Sequence, residues 1–171
     1  QIARALAANI AELRWSLVAD TVMLLADIAL ALVFFRLLRP ISETLALAAM
    51  VFRLGQAVLI GASLMALASA PSLLADAPRI AVHMTTLHAI GYDIGLILFA
   101  VNSGLMAVLL WSSHVPKAIA GGIAASGLVY AAGSLMRLVA PGQAGLIEPA
   151  YVIPMIAESA LCLWLLIRAR V

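Results

Sequence analysis

An all-α polytopic transmembrane helix bundle is the fold class this sequence predicts, and three observations predict it. Hydrophobic residues make up 65% of the 171 positions and charged residues only 11%. Mean hydropathy is +1.15, outside the range of soluble globular domains. Five apolar stretches each reach the ~17–25 residues that a helix needs to cross the hydrocarbon core. No long linker or low-complexity tract divides the chain, so residues 1–171 read as a single transmembrane domain.

The spans are predicted at about 15–38, 42–70, 80–111, 116–138 and 151–167. Before the first of them, Ile2, Leu6, Ile10 and Leu13 recur at helical spacing with Arg4, Asn9, Glu12 and Arg14 between them. Residues 1–14 are therefore expected to form an interfacial helix or a loop. The separators carry turn chemistry: "RPISE" at 39–43, "APSLLADAPR" at 70–79, "SSHVPK" at 112–117 and "APGQAGLIEP" at 140–149. Proline and glycine in these stretches close one helix and open the next. Glu148, followed by Pro149, is expected to cap a helix.

With five spans, the membrane face at the start of the first span, here side one, receives Arg4, Arg14, Arg79 and Arg137. Side two receives Arg36, Arg39, Lys117, Arg168 and Arg170. The positive-inside rule then predicts that side two, with the C-terminus, is cytoplasmic. The chain begins at Gln1 with no basic, apolar and cleavage-site pattern, so no signal peptide is expected and the natural start is expected upstream. The scattered basic residues form no stripe with interleaved aromatics, which excludes nucleic acid as a partner. Cys162 is the only cysteine, so neither an intramolecular disulfide nor a cysteine-rich metal site is expected.

Ionisable side chains within the bilayer cost from about 2.5 kcal/mol upward, so those that occur are the informative ones. The first span carries Asp20 and Asp27, seven apart and on one helix face. The second carries Arg53 and Gln56, the third His88, Tyr92, Asp93 and Asn102, and the fifth Glu158. At a rise of about 1.5 Å per residue, Asp20, Tyr92, Asp93 and Glu158 fall in the side-one part of the membrane. Asp27, Arg53 and Asn102 fall nearer its middle, and His88 at the side-one boundary. These nine residues are the candidate ligand-binding pocket, a polar cavity expected to open toward side one. Gly91 and Gly95 in "HAIGYDIG" form a small-xxx-small pair that admits a neighbouring helix.

Four carboxyls here face one clear intramembrane cation, Arg53, with Arg137 near the end of the fourth span. Either some carboxyls carry a proton through desolvation and mutual repulsion, or a cation, metal or cationic ligand completes the site. Structural readings stand beside the functional ones: Arg53 with Asp20 or Asp27 as an ion pair that fixes helix packing, His88 as a boundary hydrogen-bonder, and Glu158 as a satisfied core carboxyl. His83 and His88 are five apart, about 140° around a helix, which excludes the i, i+4 pair of a helical zinc site. No metal is expected and no cofactor is specified. "AASG" at 124–127 resembles the serine motif of rhomboid intramembrane proteases, but Ala124 stands where that motif has glycine and no histidine follows in the fifth span. That assignment is rejected.

The run "LVADTVMLLADIALALVFFRLLRPISETLALAAMVFRLGQAVLIG", followed by "LHAIGYDIGLILF" and "ESALCLWLLI", resembles the uncharacterised bacterial membrane family known as domain of unknown function 4386. The resemblance covers nearly the whole chain. It implies a further N-terminal span, six in the complete protein, and a bacterial inner membrane location, but no chemistry. The function expected is a membrane protein that binds a small polar or cationic ligand, or relays protons, in the pocket. The alternatives are a structural or accessory subunit of a larger membrane complex, with membrane-protein partners besides the lipid bilayer, and an intramembrane hydrolase.

Overall fold

The computed structural model describes residues 6–168, which are helical nearly throughout with no strand among the described residues. Five long helices form the molecule: α1 (Ile10–Leu38), α2 (Glu43–Ser69), α3 (Pro78–Trp111), α4 (Lys117–Val139) and α5 (Val152–Arg168). All five are long and apolar enough to cross a membrane, α5 together with the short 3-10 turn Glu148–Tyr151 that leads into it. The predicted spans and these helices agree in number and order.

The helix ends follow local chemistry. Pro40 lies just beyond α1, and the Ser42 hydroxyl caps α2 by accepting from the Leu45 amide at 3.4 Å. Pro78 opens α3 at the first-turn position, where its missing N–H removes no helical bond. Pro154 is tolerated inside α5 because it is the third residue of the helix, among the amides that have no intrahelical partner. Glu148, expected as a cap, makes no side-chain cap bond and begins the 3-10 turn instead. At the other end of the chain, α1 starts at Ile10 after a break at Asn9. Of residues 1–14, residues 10–14 belong to α1, residues 6–8 are helical before that break, and residues 1–5 lie outside the described residues.

The helices pack in chain order, each on its neighbour, with α3 in the middle, and α1 and α5 make no substantial contact with each other. The bundle is a curled layer with a seam between its first and last members. As lipid supplies no hydrophobic force between helices, close approach of small residues must hold the layer together. A Cβ on Gly91 would lie 2.8 Å from the Ser63 Cβ, and one on Gly95 2.9 Å from Ile60 Cγ1. The expected small-residue pair therefore admits α2. One turn of α4 comes nearer still to α3, where a Cβ on Gly127 would sit 2.9 Å from the Ala100 carbonyl oxygen.

Burial divides along the membrane normal. The main apolar cluster, with Leu38, Ala46, Leu109, Leu110, Val115 and Ala120, fills the side-two half. The long apolar side chains of α1, such as Trp15, Val22 and Leu25, point outward, as they must in lipid.

The α3–α4 approach generates a paired test. Gly127→Ala should lower stability by about 1–3 kcal/mol, because a backbone carbonyl cannot yield to the added methyl. Gly104→Ala, with nothing within 4 Å of its Cβ, should be neutral or stabilising by up to about 1 kcal/mol through helix propensity. Unfolding of both variants in the same detergent gives the comparison, and equal shifts would contradict the packing described.

Candidate functional site

The charged and polar side chains of the membrane interior are gathered into separate groups. The largest joins the first two spans: Asp27 Oδ1 accepts from Arg53 Nε at 3.1 Å and Nη2 at 2.8 Å, and Asp27 Oδ2 accepts from Gln56 Nε2 at 3.1 Å. The pair is buried, 11% and 13% exposed at the two side chains. The guanidinium carbon also lies 5.1 Å from the Phe99 ring centroid and 5.8 Å from that of Phe34, within cation–π range. Of the two expected partners for Arg53 it is therefore Asp27 that binds. Asp20, about two turns nearer side one, accepts from the Ser16 hydroxyl at 3.3 Å and joins neither ion pair. Gln56 Oε1 is buried with no hydrogen-bond partner among the described residues.

A second group lies toward side one between α3 and α4. Asp93 Oδ1 accepts from Arg137 Nε at 2.7 Å and pairs with Nη2 at 2.6 Å. Arg137 also donates to the Tyr151 hydroxyl at 3.0 Å and to Ser134 Oγ at 3.3 Å. Gly133 makes this possible, since a Cβ there would collide with the Tyr151 hydroxyl. Nearby, the Ser63 hydroxyl donates to the Ile60 carbonyl and lies 3.1 Å from His88 Nδ1. The His88 ring packs edge-on against Tyr92.

Glu158 stands apart from both ion pairs. Its Oε1 accepts from the Tyr130 hydroxyl at 2.9 Å, and among the described residues no cation pairs with it. Tyr130 is itself held edge-on between Phe99, at 5.3 Å, and Tyr151, at 6.0 Å. Glu158 faces the seam, where a cavity of about 380 Å³ opens between α1 and α5. Phe34, Arg53, Phe99, Asn102 and Cys162 share its lining, which is otherwise mostly apolar. Asn102 is 2% exposed and its amide makes no side-chain hydrogen bond. Counting along each helix from its side-two end, Arg53, Asn102 and Glu158 all stand about 13–15 Å in, at the middle of the hydrocarbon.

The nine sequence-derived candidates thus divide. Arg53, Asn102 and Glu158 line the seam cavity, with Asp27 and Gln56 bonded behind Arg53. His88, Tyr92 and Asp93 are not in its lining, and Asp20 is on neither ion pair. The expectation that Asp93 and Glu158 share one side-one cavity is corrected: Arg137 draws Asp93 into the α3–α4 interface, and Glu158 sits at mid-depth because α5 is short. Tyr130, the hydroxyl on Glu158, was missed. It lies seven residues before Arg137, on the same face of α4, and that spacing was the available signal. Ser126, from the rejected protease motif, is fully buried and donates to the Gly122 carbonyl.

The Asp27–Arg53 pair carries a stability prediction. Arg53→Leu alone strands a buried carboxylate and should cost about 3–5 kcal/mol. Arg53→Leu combined with Asp27→Asn should cost measurably less, read as the smaller shift in denaturant midpoint. A double variant as unstable as the single would contradict the pairing.

The chain belongs to the family described as Domain of unknown function (DUF4386), whose model matches residues 1–169. No curated protein and no solved structure matches it.

Proposed function

We propose that this DUF4386 protein binds a small lipophilic cation within the membrane, in the seam between α1 and α5, with the positive charge on the Glu158 carboxyl. One observation carries the reading: a mid-membrane carboxyl lines a cavity of about 380 Å³ and, among the described residues, forms no ion pair. The volume lies in the usual range for small-molecule sites. Placing a positive group beside Glu158 restores local neutrality, which is the condition under which charge is tolerated at this depth. An anion is disfavoured because Arg53 already directs two donors to Asp27 and Glu158 would repel it. The Asn102 amide offers an orienting hydrogen bond, and the Phe34 and Phe99 rings offer faces to a cation and its apolar body. Access is lateral, from the bilayer, because α1 and α5 do not close on each other. The setting is the bacterial plasma membrane with side two toward the cytoplasm.

A second reading, an accessory subunit whose seam is closed by a helix of another membrane protein, draws on α1. Of its residues only Ala31 and Leu38 are buried.

Cys162 provides the test, because the only cysteine of the chain lines the cavity. In mild detergent, tetraphenylphosphonium should slow alkylation of Cys162 by N-ethylmaleimide several-fold, and Glu158→Gln should abolish that protection while leaving the unprotected rate unchanged. A wild-type rate indifferent to saturating tetraphenylphosphonium would overturn the cation reading. Strong protection in native membranes that disappears on purification, with no effect of the cation, would instead favour the accessory subunit.

A further inference from the structure

Building on that reading, we infer that occupation of the seam is an exchange of charge, in which the arriving cation displaces one proton from Glu158. The argument rests on what faces this carboxyl from every helix around it. From α4 comes the Tyr130 hydroxyl, a neutral donor to Oε1. From α3 come Phe99 and the Asn102 amide, both neutral, and α5 itself adds Leu161 and Cys162. From α2 comes Arg53, but its charge is balanced by Asp27 of α1 in a pair with an N–O distance of 2.8 Å. The Tyr151 hydroxyl, which packs beyond Tyr130, accepts from Arg137, whose charge is matched by Asp93. Each cation near Glu158 therefore already has its own carboxylate.

With the seam empty, a free carboxylate would be an uncompensated charge in a largely apolar, mid-membrane space, and such a group takes up a proton instead. Oε1 already accepts from the Tyr130 hydroxyl, which leaves Oε2 to carry the proton. A cation with no proton of its own can bind there only as that proton leaves: the Oε2–H bond breaks, its electron pair stays on the oxygen, and the proton passes to water. The seam holds a neutral acid before and a carboxylate with a cation after, so its net charge is unchanged. Tyr130 is a positioning residue in both states, donating to Oε1 and leaving Oε2 for proton or ligand. The exchange makes Glu158 the point at which uptake of a lipophilic cation answers to pH.

Tetraphenylphosphonium carries no ionisable proton, so any proton released on binding comes from the protein. In weakly buffered detergent solution with an indicator dye, the full chain should release about one proton per cation bound. Affinity should rise about tenfold for each pH unit over the range in which Glu158 is protonated, then level off once the empty site is already ionised. The sign follows from linkage: the bound state holds one proton fewer, so raising the pH favours it. Glu158→Gln should bind the cation at least tenfold more weakly and release no proton. Tight binding by the wild type with no proton release and no pH dependence would overturn the exchange and leave the binding reading standing. Proton release that persists in Glu158→Gln would overturn it too, by assigning the proton to another group. An absence of binding at every pH would remove both.

Discussion

The ion pair between Arg53 and Asp27 is the interaction on which the rest of the arrangement depends. Side-chain hydrogen bonds between α1 and α2 all end on Asp27, and α1 otherwise buries very little of itself. The pair therefore fixes one wall of the seam. It also decides the electrostatics of that seam, because a guanidinium matched to Asp27 leaves no cation for Glu158. Were Arg53 free to turn toward α5, the cavity would be a closed ionic contact rather than a space with one unmatched carboxyl.

Depth separates two kinds of packing. In the side-two half, alanines and leucines of α1 to α4 interdigitate without polar groups. Farther toward side one, glycines let backbones approach and ion pairs join adjacent helices. Lipid offers no gain from burying one more leucine, so shape and polar satisfaction must supply what the hydrophobic effect supplies in water. Asp93 with Arg137, tied to Tyr151 and Ser134, is the clearest case of polar groups used to set helix positions. Because Arg137 is about one-third exposed, 34% at the side chain, that tie is more open to its surroundings than Arg53 and Asp27, at 11% and 13%.

The seam differs from these ties in what remains unfilled. Among the described residues the Asn102 side chain makes no hydrogen bond, and Glu158 has one oxygen bonded to the Tyr130 hydroxyl. Polar groups are costly when buried unmatched, and of those at this depth Asn102 and Glu158 line the cavity while Asp27, Gln56 and Arg53 are bonded to one another.

The sequence by itself determined the number and order of the spans, because the length of each apolar run must match the thickness of the hydrocarbon and Pro and Gly mark where helices cannot continue. It also singled out the polar residues, since a charge within a span is rare enough to stand out on its own. What it left open was their pairing. Asp20 and Asp27 lie on one face of α1 and both are candidates for Arg53; the estimated depth favours Asp27, and the packing of α1 on α2 makes that pair. Asp93 and Glu158 converge when depth is counted from side one, yet height along a helix says nothing about which neighbour it turns toward. Arg137 claims Asp93 because α4 packs on α3 there, and Glu158 faces the seam because α5 packs on α4 and leaves α1 uncovered. Periodicity is a property of one helix and survives in the sequence, whereas azimuth and neighbour are properties of pairs of helices and arise only when the bundle is assembled.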